Sequence, residues 1–198
     1  MSAALISQPM GQHGLRDDLE SAIYVLLWVA LMYSETSDLD QAVLFVKTVL
    51  DQPPLGVVGP LSKRDFLIAR TFLALVKFHH RPALDRLIDE LACVFGTRYI
   101  QSPSAEQRRD AKLIQELVSN HPQLSHLYYN TAAHIFDDRM SQLDSHEAII
   151  KIFDDALSDS NWPKNDPPSR QEPNVIESQA ILKSGWRTSA FMAHIEPD

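Results

Sequence analysis

From Ala22 to Tyr33 every residue is apolar: Ala-Ile-Tyr-Val-Leu-Leu-Trp-Val-Ala-Leu-Met-Tyr. No other stretch constrains the fold as much. A surface helix carries one apolar stripe, whereas a helix apolar on all sides needs protein on all sides. The run is about 12 residues long, and a membrane span needs roughly 20, so it reads as a buried core helix and not an anchor. The first fourteen residues carry no basic cluster and no long apolar core, so no secretory signal is expected. The expectation is a soluble intracellular chain with no membrane partner.

The helix begins in Arg16-Asp17-Asp18-Leu19-Glu20. Asp17 has the character of an N-cap, and Glu20 follows at capping-box spacing. Asp18 adds first-turn negative charge, which the helix dipole favours. A second helix is expected over Leu39–Leu50, stopped by Pro53-Pro54. A third should run from Ser62, with Asp65 three residues on, to His79-His80, with Phe66, Leu67, Phe72, Leu73, Leu75 and Val76 on its apolar side. Pro82 suits a first helical position, and Gly96 suits a C-terminal stop, so a fourth helix lies between them. Ser104–Ser119 reads as a more polar helix with Leu113, Ile114, Leu117 and Val118 inward. Gln123–Met140 reads as one helix, and Ser145–Leu157 as the last, with Ile149, Ile150, Ile152 and Phe153 inward. No β-strand pattern or internal repeat is present. The fold class is all-α. After Asp159 the chain turns Pro-rich and polar, so a flexible tail is expected over residues 169–198, with a short helix near Val175–Leu182.

Composition excludes several functions. Eighteen Lys and Arg against 26 Asp and Glu give a net charge of −8, the wrong sign for a nucleic-acid surface. Lys63-Arg64 and Arg108-Arg109 are isolated basic pairs. The single cysteine, Cys93, rules out internal disulfides and multi-cysteine zinc sites, and reads as a buried, inert thiol. His121, His126 and His134 are not at the spacing of metal ligands on one helix face. His79-His80 and His146-Glu147 suit helix ends, and Asp137-Asp138-Arg139 and Asp154-Asp155 suit solvated faces. Residue by residue, the sequence displays no catalytic, cofactor-binding or metal site.

The run Arg16–Trp28, R-D-D-L-E-S-A-I-Y-V-L-L-W, resembles the central C-lobe helix of the fungal-type protein kinase family. The same D-D-L-E-S start occurs in casein-kinase-like enzymes. Met1-Ser2-Ala3 is similar to the end of that family's activation segment, and F-D-D-A-L-S…N-W-P, from Phe153 to Pro163, to its closing helix. The resemblance covers about residues 1–168. It implies a helical C-lobe portion of the kinase fold built around a buried central helix. For the intact family domain it implies ATP and Mg²⁺ as cofactors and transfer of phosphate to protein Ser or Thr. Asp18 matches the position that anchors the catalytic loop. Ile23 stands where kinases generally place glycine.

The catalytic parts are not in this sequence. There is no G-x-G-x-x-G. His80-Arg81 continues with Pro82 and not Asp, and Asp65-Phe66 with Leu67 and not Gly. The expectation is a truncated, non-catalytic lobe that binds no cofactor. The alternative is a helical protein-interaction module, its partners docking on exposed apolar C-lobe surface. With part of its wrapping missing, the surface from Ile23 to Met32 should either be covered by collapse of the other helices or stay exposed and favour association.

Overall fold

The computed structural model describes residues 1–7, 12–50 and 58–162. The chain is all-α: among the described residues the only β-pairing is an isolated bridge between Thr36 and Phe78. In order come α1 (Ala3–Ser7), α2 (Leu15–Tyr33), α3 (Leu39–Phe45) running into a π-turn (Val46–Leu50), α4 (Val58–Ala69), α5 (Thr71–Leu75) and α6 (Pro82–Gly96). A 3₁₀ turn (Thr97–Tyr99) leads to α7 (Ala105–Asn120). A second (Pro122–Leu124) leads to α8 (Ser125–Tyr129), then α9 (Ala132–Gln142) and α10 (His146–Leu157). No helix among the described residues is long and apolar enough to cross a membrane.

One continuous core joins α2, the α3 segment, α4, α6 and α10. The most enclosed helix is α6. Ile88, Leu91, Ala92 and Phe95 on it are essentially sealed, and α2, α4, α9 and α10 all pack against it. Phe45 locks the neighbouring corner, stacked on Phe72 at 4.1 Å and edge-on to Phe66 at 5.0 Å between ring centroids. Such offset and edge-to-face pairs add to plain area burial.

Helix α2 is not wrapped on all sides. Ile23, Tyr24, Leu27, Ala30, Leu31 and Met32 are buried, but Val25 is 63% and Val29 42% exposed, with Ala22, Trp28 and Tyr33 beside them. The apolar run therefore has two fates: one face builds the core and the other meets solvent.

Other boundaries differ from the sequence expectations for physical reasons. Helix α2 starts at Leu15, with Gly14 as its N-cap; Asp17 is the third helical residue, and its Oδ2 accepts from the Gly14 backbone N–H at 3.2 Å. The expected third helix breaks at Arg70, whose φ of 52° is left-handed, and resumes as α5. The stretch from Gln123 to Met140 is likewise divided, and Thr131 caps α9 through the His134 N–H at 3.2 Å. Helix α6 ends at Gly96, as expected, although not through a left-handed cap: the Gly96 backbone is αR and the chain passes directly into the 3₁₀ turn. A Cβ there would lie 2.5 Å from the Leu67 carbonyl oxygen, so glycine lets α4 and α6 approach. Leu75, Leu113, Leu117 and Ile150, expected inside, are exposed. Pro53-Pro54, the tail and the segment Val175–Leu182 lie outside the described residues.

Candidate functional site

Two features stand out: a buried polar clasp at the start of α2 and the exposed face of the same helix. The clasp centres on Glu20, whose exposure is 0%. Its carboxylate accepts from four donors: the Ala3 backbone N–H at 2.7 Å, the Tyr24 hydroxyl at 3.1 Å, Arg98 Nη1 at 2.6 Å and the Tyr99 hydroxyl at 2.5 Å. One turn earlier, Asp17 accepts from the Ser2 hydroxyl at 2.9 Å and from Arg98 Nη2 at 2.9 Å. Arg98 also donates to the Arg16 carbonyl at 3.0 Å. Lys63 on α4 completes the rim, with Nζ donating to the Met1 carbonyl at 3.0 Å and lying 4.6 Å from the Tyr24 ring centroid.

The electrostatics follow from this packing. Burial pushes the Asp17 carboxyl up. Hydrogen bonds from Arg98, Ser2 and the Gly14 backbone, together with the Arg98 charge, outweigh that and hold it below its ordinary value. Burial lowers the Lys63 ammonium, partly offset by Glu20. Burial, reinforced by the neighbouring Glu20 charge, raises both the Tyr24 and Tyr99 hydroxyls, so both stay protonated and donating. No buried side-chain nitrogen or oxygen among the described residues lacks a partner. The clasp thus has its carboxylates already engaged by donors of the chain itself. Its chemistry is mechanical: it ties α1, α2, α4 and the 3₁₀ turn after α6 into one unit.

The second feature runs along the opposite side of α2. Asp18, Ala22, Val25, Val29 and Tyr33 follow at steps of four, three, four and four, so they share one helix face, and all are exposed. Asp18, the expected catalytic-loop anchor, heads this stripe with its side chain 66% exposed and, among the described residues, only His13 paired with it, at 3.5 Å. It anchors no backbone segment among the described residues.

The remaining sequence candidates are spread over the molecule. Among the described residues no three His, Cys, Asp or Glu side chains converge as a metal site. His134 packs against Tyr128 and Tyr129, with ring centroids 4.7 and 5.1 Å away. Cys93 is half-buried, not sealed. Asp137 forms an exposed fork with Arg108, at 2.8 and 3.1 Å. A cleft of about 400 Å³ between α4, α5 and α6 is lined by Arg70, Lys77, Asp85, Arg86 and Asp89. Its charges are largely spent internally: Arg70 pairs with Asp89 at 3.2 Å, Arg86 pairs with Asp159, and Asp85 accepts the Phe78 N–H at 3.1 Å.

Among the described residues the two clustered carboxylates, Asp17 and Glu20, are occupied by donors from the chain itself, so this pair does not fit Mg²⁺. The clasp is what sequence reasoning missed. Glu20 and Arg98 lie far apart in the chain, and Lys63 passes for half of a surface basic pair. Comparison with known proteins returned no matching family model, no matching curated protein and no matching solved structure.

Proposed function

We propose that this chain is a non-catalytic helical docking lobe, similar to the lower lobe of fungal-type protein kinases, and that the outer face of α2 is its protein-binding surface. One observation carries the reading: a contiguous apolar stripe, headed by an exposed carboxylate, lies on a helix whose other face is fully packed. Isolated exposed apolar residues are ordinary, but a contiguous patch marks an interaction surface. The kinase resemblance supplies a reason for the pattern, because in that family the same helix receives the catalytic loop at the position matched by Asp18. ATP, Mg²⁺ and phosphate transfer belong to the intact family domain; here the clustered carboxylates Asp17 and Glu20 are taken up by Arg98 and the chain's own hydroxyls.

Two measurements test the proposal. Calorimetric titration with ATP and Mg²⁺ should show no binding, and nucleotide affinity would overturn the non-catalytic reading. A fluorescent probe of apolar surface should bind the native chain and lose most of its signal in a Val25→Lys/Val29→Lys variant. A native chain that leaves the probe dark would remove the docking surface.

A further inference from the structure

We infer that the groove between α2, α4 and the 3₁₀ turn after α6 is a peptide-binding site, and that residues 1–7 are a strap that fills it in the native chain and leaves it while the core stays folded. The site lies on the other side of α2 from the docking face, and its test does not depend on that reading. The strap is held chiefly by polar bonds. The Ser2 hydroxyl donates to Asp17 at 2.9 Å, the Ala3 N–H to Glu20 at 2.7 Å and the Ala4 N–H to the Tyr99 hydroxyl at 3.2 Å, while Lys63 Nζ donates to the Met1 carbonyl at 3.0 Å. The side chains sealed in the groove are small ones: Ser2 is 0% and Ala3 1% exposed. Leu5 and Ile6 are half-buried, and Met1 and Ser7 face solvent. Little apolar area therefore holds the strap, and a helix of five residues has no stability of its own.

The groove does not need the strap to hold its shape. Without it Glu20 keeps the Tyr24 and Tyr99 hydroxyls and Arg98 Nη1, and Asp17 keeps Arg98 Nη2 and the Gly14 N–H. Both carboxylates retain their counter-charge, so release avoids the large cost of breaking a buried ion pair from one side. Water replaces the bonds that the strap made. The groove then presents a definite set of groups: Asp17, Glu20 and Tyr99 oxygens as acceptors, and Lys63 Nζ as a donor. That set reads a backbone carbonyl, then a hydroxyl, then two successive N–H groups. The sealed positions of Ser2 and Ala3 admit only small side chains. The ligand is therefore a peptide of the pattern Ser-Ala-Ala, with larger residues accepted on either side, where Met1 and Leu5 stand.

Two measurements on the full chain decide this. In native-state hydrogen exchange the Ala3 and Ala4 amides should exchange at least about a hundredfold faster than those of Ile88 and Leu91 in α6, with no response to urea below the unfolding transition, the mark of local opening. Equal protection with equal urea dependence would show that the strap leaves only when the whole chain unfolds, and would overturn the proposal. Ala3→Leu should expel the strap, because the sealed position has no space for the larger side chain, while the α6 amides keep their protection. Loss of that protection would make the strap part of the core and would also overturn the proposal. Calorimetric titration with the end-blocked peptide Met-Ser-Ala-Ala-Leu-Ile-Ser should show saturable binding to the Ala3→Leu chain. Binding to the native chain, where the tethered strap competes, should be at least about tenfold weaker. The peptide carrying Ala3→Leu should not bind, and equal uptake of it would overturn the ligand class. An Ala3→Leu chain with an intact core that takes up no peptide, or binds it no better than the native chain does, would overturn the peptide site.

Discussion

Replacing Arg98 by Met tests the clasp most directly. Among the described residues Arg98 is the only cation bonded to both Asp17 and Glu20, and the three side chains are 13%, 10% and 0% exposed. Met keeps much of the stem volume and removes the charge together with the bonds to Asp17, Glu20 and the Arg16 carbonyl. Two carboxylates are then left buried without their counter-charge. Breaking a buried pair from one side costs about 3–5 kcal/mol, a large part of the roughly 5–15 kcal/mol that holds a typical domain together. With a urea slope of about 2 kcal/mol/M, the unfolding midpoint should fall by about 2 M. The triple variant Arg98→Met/Asp17→Asn/Glu20→Gln should recover much of the loss, because no unpaired charge remains inside. An Arg98→Met midpoint within about 0.5 M of the native one would refute the reasoning, since that is the scale of an exposed ion pair.

Asp17 also sets an acid limit. Its folded-state pKa lies below the unfolded value of about 3.9, so its contribution is present above pH ~4 and is lost as pH falls through the folded value. Urea midpoints measured down the acid range should fall less steeply in Asp17→Asn than in the native chain. Gly96→Ala should destabilise by about 1–3 kcal/mol despite the better helix propensity of alanine, because the added carbon meets the Leu67 carbonyl; a thermal melt unchanged or raised would show that α4 can retreat. Ser104→Ala should cost about 1 kcal/mol by removing the hydroxyl that accepts the Gln107 N–H, read as a lower urea midpoint. Asp18→Asn should change unfolding free energy by less than about 1 kcal/mol, since only a first-turn charge on an exposed side chain is lost; a larger loss would show that Asp18 already holds a structural partner.

Local signals located much of the fold. The hydrophobic periodicity and Pro82 placed α6, and the helical spacing of Leu113, Ile114, Leu117 and Val118 placed α7. What local signals left out was settled by contacts distant in sequence. Asp17 and Glu20 have the spacing of a capping box, but an arginine about eighty positions away claims both carboxylates. Arg70 breaks a helix without the glycine or proline that would announce it. Gly96 does end α6, but that its missing side chain also serves an approach by another helix is not visible in the local sequence. Amphipathic spacing identifies the apolar side of α7 but not how much protein covers it, which is why Leu113 and Leu117 end up exposed. For α2 the composition was plain, whereas which side of an all-apolar helix faces outward depends on where the other helices settle.

The clasp has a consequence for the order of assembly. The Ala4 N–H reaches the Tyr99 hydroxyl across 95 positions of chain, and Lys63 of α4 donates to the Met1 carbonyl, while the nearer bonds run to Asp17 and Glu20 of α2. Closing so long a loop early would cost entropy with little enthalpy in return. The bonds to Tyr99 and from Lys63 therefore wait on α4 and the turn after α6, and they are expected to bear more on how fast the native chain comes apart than on how fast it forms.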